Sequence, residues 1–502
     1  MTEQNLCVIS VDIGTSSVRA CLVNDSLEII HKSQFALCLE TDLSGKAIQD
    51  AEEVLEKTLK CIKEAREWAC ENQLEVQGIS FSNAVSSLVP LDRHLNPKGP
   101  IFTYADTRSH REARQLRDET KREIFQYTAC PMHASYWLPK LLWLKKNIAD
   151  LFNCHYFCTI KDLIIHRLSG KFVTDYSNAV ATGLCDIRTK DWDDHLLSIA
   201  GIKKSQLPKV LPTWTIFKPG KQFQKDGNPV IVLGATDGVL SSLGAGAFEP
   251  GQVTTMIGSS GACRIASSSP LTTDKENIIW SYPLDKGIWI RGGAMNNGGL
   301  VMQWAANNFY KSNKSNLQEA LELLLAQAAK VKPGSDGMIF LPYIYGERAP
   351  IWNEHARGVF FGIHADHGPS HFSRATLEGI LYALYSIFVN IAADFENKDR
   401  IEVRASGGYI KSDLMLQMQA DLFDVEVKIP ANLEGSAIGA AALAFRAINL
   451  FSSYKEVSNR IVIKKTYKPN NDFVSIYRKG FNQFETLYSN LKSIMVEMGT
   501  EK

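Results

Sequence analysis

Along the chain the apolar positions switch between two periods. Residues 7–24 read CVISVDIGTSSVRACLVN, two alternating apolar runs joined at Gly14, Thr15 and Ser16, which is the pattern of a β-hairpin with a small, hydroxyl-rich turn. Residues 51–71 then place apolar side chains at helical spacing, and a strand-like run follows at 76–82. This alternation of helix and short strand predicts α/β layers. The run at 229–233 is apolar and β-branched, as in a central strand, and it ends in Gly234-Ala235-Thr236-Asp237-Gly238. Another strand is predicted at 401–405, running into Ser406-Gly407-Gly408. A helix over 412–423 follows, with Ser412 or Asp413 available as its cap, and a last helical pattern covers about 472–495.

The hairpin recurs. Residues 252–267 read QVTTMIGSSGACRIAS, again strand, Gly258-Ser259-Ser260 turn and strand, with an Arg in the return strand of each copy (Arg19, then Arg264). Gly14 and Gly258 are separated by close to half the chain, which predicts a duplicated architecture. Any hairpin carries Gly and Ser at its turn. Two copies at half-chain spacing favour a chemical reading, in which the N–H groups and hydroxyls of each turn face a polyphosphate. These are not Walker loops, because no Gly-Lys-Ser/Thr run occurs, and the glycines at 293–299 do not follow a Rossmann strand at the required spacing.

Composition narrows the class. A chain of 502 residues exceeds what one hydrophobic core supports, so two domains are expected, 1–245 and 246–502, with the hinge near 244–251 where Gly, Ala and Pro concentrate. Apolar residues at 45% and charged residues at 22% are those of an ordinary globular protein. Lys plus Arg number 55 against 54 Asp plus Glu, which removes the electrostatic footprint of a nucleic-acid or anionic-membrane binder. The first residues have no basic flank, and the longest apolar stretch, 437–451, is interrupted by Arg446 and Asn449 and is too short for a bilayer. A soluble, cytoplasmic protein is expected. The ten cysteines are scattered from Cys7 to Cys263, and the closest grouping, Cys154, His155 and Cys158, has no second ligand pair, so buried reduced thiols are the reading.

Candidate chemistry lies at the ends of strands. Asp237 is presented at the C-terminal end of a central strand, where α/β sheets place their sites, and Asp12 holds a comparable position beside the first turn. Near a triphosphate, one carboxylate can help hold Mg²⁺ through water while the other accepts the proton of an attacking hydroxyl. Asp237 is the better candidate for the base; the alternative is an Asp that caps the helix beginning at Gly238. Residues 82–87 (Ser-Asn-Ala-Val-Ser-Ser) and 104–108 (Tyr-Ala-Asp-Thr-Arg) follow apolar runs and suit a polyol. An Asp and an Arg two apart either hold a hydroxylated or anionic ligand or form a local ion pair. Likewise Gly407-Gly408 either admits a ligand or only makes the turn.

Taken together these residues resemble the FGGY family of carbohydrate kinases from about 8 to 446, and residues 358–363 and 371–378 (GVFFGI, then HFSRATLE) match its C-terminal signature. The resemblance implies an α/β fold of two ribonuclease-H-like domains of the actin and Hsp70 ATPase type, with the active site in the cleft between them. It implies ATP and Mg²⁺ as cofactors. Asp12 and Asp237 fall at the metal-associated positions and Asp237 also at the catalytic base. Thr15 and Ser16 fall in the first phosphate loop, Ser259 in the second, and Gly299, Gln303, Gly408 and Ser412 where the family contacts nucleotide. Val85, Ser86, Asp106 and Arg108, with Asp237, fall where it contacts sugar.

Residues 234–247, 292–304 and 341–362 are most similar to the gluconate kinases of the family, which implies transfer to the terminal hydroxyl of D-gluconate. A ketopentose such as xylulose or ribulose is the alternative acceptor. The alternative of another class is a nucleotide-driven ATPase or scaffold, against which Asp237 and the polar segment 104–108 argue. Many relatives have Met-His where this chain has Val85-Ser86 and Trp where it has Tyr104, while Ser259 for Thr keeps the hydroxyl. Arg108 and Arg348 could each compensate a substrate carboxylate, and Arg348 could instead pair with Glu347 or another carboxylate to fix a loop. The implied partners are a small sugar or sugar acid and ATP, with a homodimer left open.

Overall fold

The computed structural model describes residues 6–120, 123–223, 228–272, 279–310, 316–393, 395, 401–432 and 434–500. They form two compact units, one of Met1–Phe248, Ser267–Ile290 and Glu434–Ile461, the other of Glu249–Ala266, Arg291–Leu433 and Val462–Lys502.

In the first unit the alternating run at the start of the chain forms strands Leu6–Ile13 and Ser17–Asn24, paired antiparallel, with Ile29–Ala36 beyond them. On its other side Leu6–Ile13 pairs in parallel with Glu75–Asn83, which pairs in parallel with Val230–Thr236, and Ile216–Phe217 closes that edge antiparallel. Helix Ala51–Glu71 covers one face. Its start is fixed by the Asp50 carboxylate, which accepts from the N–H groups of Glu52 and Glu53 at 2.8 and 3.0 Å. Its stripe of Val54, Leu55, Thr58, Cys61, Ile62 and Ala65 is buried, and the apolar members of that stripe share a core with Cys7, Ile9, Val11, Ile79 and Phe81. The other face is covered by helix Gly435–Ala447, whose small side chains let it pack closely against helix Asp237–Gly244. A single division at 245/246 is what length and composition suggest; residues 434–461 also pack with the first unit, where they cover that sheet face, and residues 267–290 join it through strand Trp280–Asp285, which packs on helices Tyr176–Ala181 and Asp237–Gly244.

The second unit repeats the plan. Strands Gln252–Ile257 and Gly261–Ser267 form the antiparallel hairpin, Glu402–Ser406 lies parallel to the first of them, Val427–Pro430 is parallel to that, and Ile463–Tyr467 closes antiparallel. Strand Ile288–Met295 neighbours the hairpin as Ile29–Ala36 does in the first unit. The duplication read from the two hairpins is therefore a duplication of six strands in the same order. Of the signature, residues 373–378 are internal scaffolding, whereas Phe361 and Ile363 of its first half are exposed. On helix Pro369–Ile391 the buried Arg374 donates to Glu378 at 2.9 Å and to the Tyr477 hydroxyl at 2.5 Å, and Glu378 also accepts from Gly334 N–H and Ser335 Oγ, each at 2.9 Å. Tyr477 and Phe484 bury one face of the last helix, Asn471–Thr500, so the polar tail of the sequence is a cover for this unit.

No helix among the described residues is long and apolar enough to cross a membrane. Eight of the ten cysteines are buried as expected, and burial pushes the Cys7 thiol up to about 12 and that of Cys154 up to about 11. Cys38 and Cys70 depart from the expectation by being exposed, since they fall on the solvent side of their segments.

Candidate active site

Parallel pairing sets Asp12 opposite Ser82 from one side and Ala235 opposite Ser82 from the other. With neighbouring strands about 4.8 Å apart, the two outer strand ends are about 10 Å apart. Asp237 follows Ala235 by two residues as the first residue of helix Asp237–Gly244. Thr236 occupies the N-cap position, so Asp237 is not the cap that sequence reasoning offered as the alternative. Its Oδ1 accepts from the Gly238 N–H at 2.7 Å, at the positive end of the helix, where negative charge is favourably placed.

Asp12 is only 5% exposed, and a buried carboxylate needs a partner. Arg19, facing it across the hairpin, donates to Oδ2 at 2.8 Å and to Glu434 at 2.7 Å, while Lys32 donates to Glu434 at 3.3 Å. Arg19 was visible as the polar residue of the return strand; Glu434 carried no signal, being remote in the chain. In the turn, Gly14 N–H donates to Ser17 O at 3.1 Å, and the Thr15 and Ser16 carbonyls accept from Gln49 and from Leu37 N–H, each at 2.9 Å. Thr15 is half-buried and Ser16 exposed.

The polyol segments are more committed than their sequence suggests. Ser86 has a φ of 60°, and its hydroxyl donates to the Ala181 carbonyl at 2.7 Å, while Val85 beside it is half-buried. Asp106, 3% exposed, accepts from Ala47 N–H at 3.1 Å, from Arg108 N–H at 3.2 Å and from the Arg108 guanidinium on both oxygens. Arg108 in turn lies 4.4 Å over the Trp143 ring. Of the two roles open to this pair, the structure shows the local ion pair, a guanidinium held by Asp106 and stacked on an indole. Beneath it the buried Lys140 donates to the carbonyls of Asp106 at 3.1 Å and Ala134 at 2.5 Å, and burial pulls its pKa down to about 7. Sequence reading missed Lys140 and Trp143, though three residues apart on helix Trp137–Asn147 they share a face. It also missed Tyr136 and Tyr282, whose hydroxyls are 3.0 Å apart. Burial, then Tyr136 and Cys130, then the Asp237 charge push the Tyr282 hydroxyl well above the usual phenol range.

The second unit gathers the remaining candidates by backbone contact. Gly299 N–H donates to Gly258 O at 2.7 Å and Leu300 N–H to Ser259 O at 3.0 Å, so the start of helix Gly299–Phe309 docks on the second turn. A Cβ on Gly299 would stand 2.5 Å from Gly258 O, a contact only glycine permits. Gln303 is one helical turn further and half-buried. Gly407, at a φ of 91°, backs onto Ile257 O, which a Cβ would meet at 2.6 Å, and Gly408 begins the short turn that leads to Ser412. Ser412, not Asp413, is the cap: its hydroxyl accepts from Met415 N–H at 3.3 Å. Ser259, Gly299 and Gly408 thus come together at the ends of strands Gln252–Ile257 and Glu402–Ser406. Arg348 holds a loop, but through an amide and a carbonyl in place of the carboxylate expected: its guanidinium donates to Asn296 Oδ1 at 2.7 Å and Met295 O at 3.3 Å, while the buried Glu347 accepts from Asn297 at 2.9 Å and from the Arg348 backbone N–H at 2.8 Å. Burial pushes the Glu347 carboxyl up against these hydrogen bonds.

Two sheets of one plan, one ending in carboxylates and the other in glycine-lined turns, are the frame of a phosphotransferase. The N-terminal domain of the FGGY family of carbohydrate kinases matches residues 7–244 and its C-terminal domain residues 254–448, and the chain belongs to that family. It is an ATP-dependent carbohydrate kinase, which decides against the nucleotide-gated scaffold. Among its relatives, the gluconokinase of Bacillus subtilis is 34% identical over 484 residues, 94% of this chain and 93% of that protein. The solved gluconate kinase of Lactobacillus acidophilus superposes with a TM-score of 0.92 at 29% identity, covering 98% of this chain and 99% of that one. The solved ligand-bound xylulose kinase of the same organism gives the same TM-score and identity, covering 98% and 100%.

Proposed function

We propose that this kinase transfers the γ-phosphate of ATP to the terminal hydroxyl of D-gluconate, giving 6-phospho-D-gluconate, in the cytoplasm. Residues 1–245 carry the acceptor site, the first phosphate loop and the base, and residues 246–502 carry the second phosphate loop and the adenosine contacts. The observation that carries the chemistry is the pair of strand ends flanking Ser82, which present Asp12 and Asp237 on one sheet edge. Asp237 accepts the proton of the attacking hydroxyl as general base, from its place at the start of helix Asp237–Gly244. Thr15 and Ser16 bind phosphate from the first turn and Ser259 from the second, while Gly299, Gln303, Gly408 and Ser412 contact the nucleotide.

The donor set here is two carboxylates and hydroxyls, hard oxygen ligands that fit Mg²⁺. Asp12 would hold it through water with Asp237 nearby, and when bound it compensates phosphate charge. Arg19 limits the Asp12 charge to one answered oxygen, leaving the other for that shell. Arg108, its fork fixed by Asp106, meets the acceptor together with Val85 and Ser86. The gluconokinase relatives support D-gluconate. The equal structural likeness to a xylulose kinase keeps a ketopentose as the second reading.

An ADP-release assay with Mg-ATP against D-gluconate, D-xylulose, D- and L-ribulose and glycerol tests this. Stimulation greatest with gluconate is the expected result. A different winner overturns the acceptor and points to Val85, Ser86 and Tyr104 as its cause; no stimulation by any of the five overturns both proposed acceptor classes.

A further inference from the structure

Just before Asp237 the strand Val230–Thr236 leaves regular pairing. Val232 lies opposite Ser80 and Ala235 opposite Ser82, so Leu233 and Gly234 together oppose Phe81. Two residues against one is a β-bulge, a device that re-aims the side chains beyond it. Gly234 has a φ of 79°, and a Cβ there would fall 1.7 Å from Phe81 O, so only glycine can make this bulge. The Leu233 and Gly234 N–H groups turn to Thr215 O at 3.1 Å and Thr213 O at 3.0 Å. The Leu233 carbonyl is taken by Lys161 Nζ at 3.1 Å.

Lys161 is wholly buried, as is its ion-pair partner Asp175. Asp175 also accepts from Asn178 N–H at 3.0 Å and from Asn178 Nδ2 at 2.8 Å. The Ser177 hydroxyl lies 2.9 Å from the Thr236 hydroxyl, on the residue next to Asp237. A buried ion pair is a poor means of stabilisation, because matched apolar groups serve as well or better. What an ammonium offers here that a methyl cannot is a directed donor for the carbonyl that the bulge leaves out of the ladder.

We propose that Lys161, braced by Asp175, is a positioning residue that fixes this bulge and through it the aim of the Asp237 carboxylate. The inference rests on the reading of Asp237 as the base. The Lys161→Met variant alone strands a buried Asp175 and can fail to fold, so the decisive variant is Lys161→Met/Asp175→Asn. It removes both charges and keeps an Asn as N-cap of helix Tyr176–Ala181. Its melting temperature, kcat and KM for ATP and for the acceptor are measured beside those of Asp237→Asn.

The expected result is a melting temperature close to that of the parent and unchanged KM values, with kcat down by about 10²-fold, the cost of a reacting group misplaced by an ångström. Parental kcat overturns the inference, and so does a collapse of the melting temperature, which would make the pair structural, or a rise in KM alone. If Asp237→Asn turns over normally, the base assignment fails and there is nothing to position. If Asp237→Asn is dead while the double variant is fully active, the positioning role alone fails.

Discussion

Two residues before its turn glycine the first hairpin carries Asp12, and the second carries Met256. The strands around them follow one order, yet the first sheet ends among charges, with Asp12 on Arg19, Glu434 behind it, and Asp237 at a helix start. The second ends in backbone, where Gly299 and Gly407 bring main chain against Gly258 and Ile257. A duplicated sheet is thus a neutral stage, and its turns decide whether a strand end handles protons and charge or only contacts a ligand.

The two sheets differ most at Asp237. Asp237→Asn should keep ATP binding and lower kcat by about 10² to 10⁴-fold, the worth of a general base; turnover near the parent's would take Asp237 out of the mechanism. Making the first hairpin resemble the second comes next. Asp12→Ala should raise the Mg²⁺ concentration for half-maximal rate by about 10 to 100-fold, and an unchanged Mg²⁺ titration would reduce Asp12 to a partner of Arg19.

In the second unit, Gly299→Ala forces a Cβ onto Gly258 O, an overpacking worth about 1–3 kcal/mol. A rise of about tenfold in KM for ATP with kcat less affected is expected. Equal loss of both would place this turn in the chemistry and erase the contrast between the units.

The smallest effect is on stability. Burial pulls the Lys140 pKa to about 7, below its unfolded value of 10.5, so the unfolded chain holds the extra proton between those limits. Stability should therefore rise with pH above about 7, by at most about 1.4 kcal/mol per unit, and fall as pH drops back through 7. Denaturation of the parent and of Lys140→Met from pH 7 to 9 checks this, and parallel curves would refute it.

Much of the frame was legible because it depends on local spacing. The stripe of helix Ala51–Glu71 and the apolar run that became Val230–Thr236 could each be read within a dozen residues, and the cap at 412–413 could be narrowed to Ser412 or Asp413. The Asp106–Arg108 pair was legible as a pair, but its stacking on Trp143 and support by Lys140 were not, because those groups come from a helix some 30 residues on. The Tyr136–Tyr282 contact spans 146 positions and left no trace in either segment.

Periodicity and turn chemistry act between near neighbours, so the two turns, the carboxylates at strand ends and the elements around them were written in the chain order. Which charge answers which came from the fold. Arg19 meets a Glu 415 positions away, Lys161 reaches a carbonyl 72 positions on, and helix Gly435–Ala447 returns to cover the first sheet. Such partnerships arise because a buried charge or an uncovered apolar face must be satisfied by whatever the fold brings near, and no local pattern records what that will be.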